Sequence, residues 1–183
     1  MKKEAKNILN IVCRYLILIL IAIPNLYLFY LILTPITVFL VYSIIRLTYS
    51  AILIKPNLIL IGNEIPIELI PACIAGSAYY LLSILNLSTP KINLKKRIII
   101  LALSFLSLLI LNVLRIYLLT IFLVNSGENS FFFDFLHKFF WYFMSIFFVV
   151  GIWFANVKIF KIKEKPFYSD MKYLFKHSNL YKK

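Results

Sequence analysis

Residues 98–124, IIILALSFLSLLILNVLRIYLLTIFLV, form a run whose strongly polar members are Asn112 and Arg115. A hydrocarbon core about 30 Å thick needs roughly 20 apolar residues of helix, so this run predicts a membrane-spanning helix. Its neighbours repeat the pattern. Residues 71–89 carry no charge, and residues 131–157 form a very aromatic segment with Asp134, His137 and Lys138 near its start. Between Asn7 and Ile54 the charges are Arg14 and Arg46, and Pro24 and Pro35 divide the run into two expected helices, about 10–32 and 36–54. The expectation is an all-α, multi-pass transmembrane bundle of about five spans.

Composition agrees. The 183-residue chain is 62% hydrophobic and 15% charged, with a mean hydropathy of +0.91, too apolar for a water-soluble domain of this size. Residues 1–157 therefore read as one transmembrane domain, followed by a basic cytoplasmic tail over 158–183. Between the second and third runs, NLILIGNEIPIEL over 57–69 places Ile and Leu around Gly62-Asn63, which predicts a small external hairpin or loop. No small-residue cleavage site follows the first apolar stretch, so a signal peptide is not expected.

Twenty Lys and Arg against seven Asp and Glu give a formal charge of +13. The positives lie outside the apolar runs: Lys2, Lys3 and Lys6; Lys91, Lys95, Lys96 and Arg97; and the lysines from Lys158 to Lys183. That segregation marks cytoplasmic segments and not a nucleic-acid surface. It places the 91–97 loop and the tail inside the cell. Glu64, Glu68 and Glu128 then lie outside. With five spans, parity carries the N-terminus outside against its own lysines, unless the early run crosses once; the agreement between the downstream clusters favours the first choice.

Ionisable groups inside apolar spans are costly and mark candidate sites. On the orientation above, Cys73 lies near the outer end of the third span. Asn112 and Arg115, three apart and on one face, lie in the outer half of the fourth. Asp134 and His137, again three apart, open the fifth. These groups come to similar depth and can form one site. A thiolate is a nucleophile, a histidine can move its proton, and a buried guanidinium stabilises an oxyanion. Asn112 adds a donor and Asp134 can orient the imidazole. On a continuous helix Gly76, Ser77 and Tyr80 share the face of Cys73 and leave a small-residue approach. Each feature also has a plainer use. Cysteine packs as a small hydrophobe, Arg115 can snorkel or make a structural contact, and FFFDFLHKFFWYFM suits an interfacial belt. Cys13 and Cys73 lie in separate segments and are expected as free thiols.

The order ELIPACIAGSAYYLL, LILNVLRIYLL, FFFDFLHKFFWY over about 65–155 resembles the exosortase/archaeosortase family of multi-pass membrane cysteine transpeptidases, and most closely its short archaeosortase-like members. The resemblance implies Cys73 as nucleophile, Arg115 in an N-x-x-R-I pattern as catalytic arginine and His137 as third member. It implies sortase-like cleavage at the outer membrane face, through a thioester acyl-enzyme. The substrates it implies are membrane-anchored proteins ending in a recognition motif, a transmembrane helix and a basic tail, with a lipid, another amine or water as acceptor. Many members carry Ser or Thr and then Gly after the cysteine, where this chain has Ile74-Ala75 before Gly76. Neither a metal nor an organic cofactor is expected, and the sequence contains no H-E-x-x-H zinc motif. The alternative is a non-catalytic polytopic protein, a transporter subunit or assembly factor.

Overall fold

The computed structural model describes residues 2–62, 64–126, 135, 138, 139, 143 and 145–177. Two helices open the chain, α1 (Lys2–Ala22) and α2 (Tyr27–Thr48). Three strands follow, β1 (Ala51–Lys55), β2 (Leu58–Ile61) and β3 (Ile65–Glu68). Then come α3 (Pro71–Ile74), α4 (Gly76–Leu87), α5 (Leu94–Ser126), α6 (Ser145–Ile159) and α7 (Tyr168–His177). The fold is mostly helical. Among the described residues two helices, over Tyr27–Thr48 and Leu94–Asn125, are long and apolar enough to cross a membrane, while Asn7–Ala22, Pro71–Leu87 and Ser145–Ile159 are shorter apolar helices.

The expected hairpin is a three-stranded antiparallel sheet in the order β1-β2-β3, so the chain is not purely helical. Ile61 pairs with Ile65 across the predicted turn, where Gly62 adopts φ +60. β1 occupies residues assigned from sequence to the end of the second helix. That helix ends at Thr48, with Tyr49 extended, and Lys55 pairs with Leu58 around Pro56-Asn57. Pro-Asn is turn chemistry, and the Ile-rich AILIK suits a pleated strand as well as an apolar helix. Val41 and Ile45 of α2 pack with Ile59 and Ile61 of the sheet and with Val113 and Ile116 of α5.

The break in the N-terminal run also moves. Pro35 lies inside α2, and the interruption falls at Pro24-Asn25-Leu26, where Asn25 and Leu26 adopt positive φ of 46 and 60. Two consecutive left-handed residues end a right-handed helix more firmly than one missing N–H group. Their effect is to stack α1 and α2 end to end. Arg14 of α1 bonds the Leu87 carbonyl and Asp170, and farther along Tyr80 bonds the Leu18 carbonyl. Phe29, early in α2, then meets Tyr79 and Phe105, and the helix continues to the sheet.

Among the described residues the chain thus makes four passages along the molecule. The passages are α1 with α2, α3 with α4, α5, and α6, whose Ser145 meets Arg115 and whose Asn156 meets Ser104. The first turns of α1, the 88–97 segment and α7 gather at one end, where Asn7 reaches the Tyr173 hydroxyl and Lys96 the Phe160 carbonyl. The N-terminus does not lie opposite the other basic segments.

Candidate active site

The candidate nucleophile sits on a single turn of helix. Ile70 is extended, Pro71 supplies a preset φ at the first helical position, and the Cys73 amide donates to the Ile70 carbonyl at 2.8 Å. Ala75 then turns left-handed, at φ 61 and ψ 36, and α4 begins at Gly76. The expected continuous helix over 71–89 is therefore interrupted two residues after Cys73. A break of this kind frees the carbonyls of the last turn, and buried carbonyls need new donors.

Those donors come from α5. Asn112 Nδ2 donates to the Cys73 carbonyl oxygen at 2.8 Å, and Arg115 Nη2 donates to the same oxygen at 3.4 Å. Arg115 Nη1 donates to Ser145 Oγ of α6 at 3.1 Å, while its buried Nε has no partner among the described residues. One guanidinium thus ties three passages together. Asn112 is 2% exposed and Arg115 7%; in so apolar a setting a bonded amide and a guanidinium need their partners.

Cavities flank the turn on both sides. One of about 120 Å3 lies between β3, α3 and α5, with Glu68, Cys73, Arg115 and Thr120 in its wall. The other, about 290 Å3, lies behind α3 and is lined by Tyr30, Ala72, Gly76 and Ser145. Asn57 Nδ2 holds Glu68 by donating to Oε1 at 3.2 Å. Glu68, at the end of β3, is exposed, yet it also reaches the rim of the thiol's cavity.

The predicted residues therefore sort clearly. Cys73, Asn112 and Arg115 are brought together as their spacing implied, whereas Asp134 and His137 lie outside the described residues. Gly76 takes a different part from the one expected. A Cβ there would stand 2.8 Å from the Tyr30 ring, so its small size admits Tyr30, and the break at Ala75 removes the shared helical face with Cys73. Ser145 was missed, and its signal was faint: a single hydroxyl opening the apolar run SIFFVVGIW. Cys13 is a free, exposed thiol on α1. Among the described residues no three His, Cys, Asp or Glu side chains group to hold a metal ion.

Against known proteins the chain finds no match: no family model, no curated protein and no solved structure.

Proposed function

We propose that this chain is a membrane-embedded cysteine peptidase or transpeptidase acting on C-terminal sorting signals of exported proteins. The observation that carries the reading is the joint hold of Asn112 and Arg115 on the Cys73 carbonyl, with Arg115 and the thiol in one cavity wall. A polar cluster assembled from separate apolar segments, with a permanent cation beside a thiol, is how a cysteine is made nucleophilic. The resemblance to archaeosortases supplies the reaction class and the part given to His137.

In this reading the bundle crosses the membrane by the four passages, and all basic segments face the cytoplasm. An even number of crossings places both ends of the chain on one side, which satisfies the positive-inside pattern everywhere. The sheet and Cys73 then face outward. A substrate's extended segment enters between β3 and α5. The Cys73 thiolate attacks the scissile carbonyl carbon, and the electron pair moves to the oxygen, which Arg115 stabilises. Collapse expels the amine, which takes from His137 the proton that the thiol gave up, and leaves a thioester. An amine or water then attacks the thioester, giving its proton to His137, and releases the thiolate.

The same hydrogen bonds also support a second reading. Asn112 and Arg115 donate to the Cys73 backbone and not to its sulfur, as they would if they merely secured a broken helix in a non-catalytic bundle. Co-expression with a protein bearing a sorting-signal tail separates the two. Tail removal should occur with wild type and Cys13→Ala and be lost with Cys73→Ala, Arg115→Ala and His137→Ala. Removal that persists in Cys73→Ala excludes the cysteine mechanism.

A further inference from the structure

A cavity of about 880 Å3 lies at the far end of the molecule from Cys73, between α1, the 88–97 segment and α7. Arg14, Lys91, Arg97 and Lys172 line it, against the carboxylates of Glu164 and Asp170. The lining is cationic in excess. Asp170 is taken by Arg14, with both oxygens at 2.8 Å from Nη2, and Glu164 by Lys91 at 2.7 Å. Arg97 and Lys172 share in neither pair.

Arg97 is the decisive group. It is 7% exposed, and its Nη1 and Nη2 donate to the carbonyls of Asn86 and Thr89 at the end of α4. Those bonds hold the guanidinium in place, but carbonyls do not neutralise it. The charge of Asp170 reaches it, but the carboxylate itself is engaged by Arg14; a buried cation bonded, among the described residues, to carbonyls alone and lining a cavity of ligand size calls for an anion.

The surroundings indicate which kind. The polar lining gives way to Ile11, Ile17 and Leu94, and Ile17 and Leu94 are bare on the outer face of their helices. Along one side of α7, Met171, Leu174 and Phe175 are also exposed, a stripe that lies stably against lipid and not against water. We propose that this cavity binds an anionic phospholipid, its headgroup phosphate held by Arg97 and Lys172, its chains running down Ile11 and Ile17, and α7 lying on the membrane surface beside it. Basic pockets between helices at the cytoplasmic face hold lipid headgroups by this combination of charge and apolar wall. The inference does not depend on the role of Cys73.

The test is native mass spectrometry of the full-length protein in detergent, with phosphatidylglycerol or phosphatidylcholine added, plus inorganic phosphate as competitor. Phosphatidylglycerol should be retained about tenfold better than phosphatidylcholine, and Lys172→Glu and Arg97→Gln should each weaken it about tenfold. Lys172 is exposed, so its variant keeps the test meaningful where Arg97→Gln disturbs folding. Lys55→Glu makes the same charge change at the sheet and should leave retention unchanged. Equal retention of the two lipids, or equal loss with Lys55→Glu, would overturn the proposal. Displacement by millimolar phosphate would assign the cavity to a free anion and overturn it too.

Discussion

Arg115 is held at two points, by the Cys73 carbonyl and by Ser145 Oγ. A planar fork can serve both at once, and a lysine ammonium on a flexible stem cannot be expected to. Arg115→Lys should therefore cut the rate of tail removal by about a hundredfold although the charge is kept; a rate near wild type would mean that charge alone suffices. Gly76→Ala meets the Tyr30 ring and should cost about 1–3 kcal/mol of stability. Thermal denaturation in detergent checks this, and Tyr30→Ala in the same chain should remove most of the added cost. At this scale Cys73, Asn112 and Arg115 were legible because polar groups inside apolar spans stand out against their background. Ser145 was not, since a hydroxyl can bond its own helix and passes unnoticed. Nor was the tenancy of Gly76, which depends on a ring from a helix distant in sequence.

Ala75 divides one expected helix into α3 and α4 while carrying no mark of the left-handed conformation it adopts. Alanine is the best of helix formers, so propensity pointed the other way. A β-branched residue at φ 61 is strained far more than alanine. Ala75→Val should therefore lower the melting temperature and disturb the carbonyl that Asn112 and Arg115 hold, whereas Ala75→Gly should be tolerated; equal melting of the two variants would argue that the break is not needed. The sheet was half legible. Gly62-Asn63 announced the β2–β3 turn, but AILIK continued an apolar run and hid β1. Beside α7, the hydrogen bonds from Lys91 and then Ser169 to Glu164 hold its carboxyl below the usual range. A depressed pKa stabilises the contact above the ordinary carboxylate value and loses that help as pH falls through the lowered one. Pepsin, which is active at such pH, should accordingly cut at Phe160 or Phe167 faster below that value, and Glu164→Gln should show the higher susceptibility on both sides of it.

Across the whole molecule, stacking α1 on α2 replaces an antiparallel pair by one long passage and gathers the basic segments at one end. Counting apolar runs could not reveal this, because two helices joined by a short turn read alike whether they fold back or continue. The parity conflict in the charges was the legible trace of it. A thiol probe that cannot cross membranes should label a cysteine placed at Glu64 in intact cells and one placed at Lys91 only after the cytoplasm is opened; the reverse pattern would invert the orientation. On the proposed function, the site, the sheet beside it and the cavity at Cys73 serve a single covalent event. The most direct measurement is the mass of the full-length protein isolated with a tail-bearing substrate and digested around Cys73. The account predicts an acyl adduct on Cys73, released by hydroxylamine and absent from Cys73→Ala, together with loss of tail cleavage in that variant. Undiminished cleavage by Cys73→Ala would contradict it.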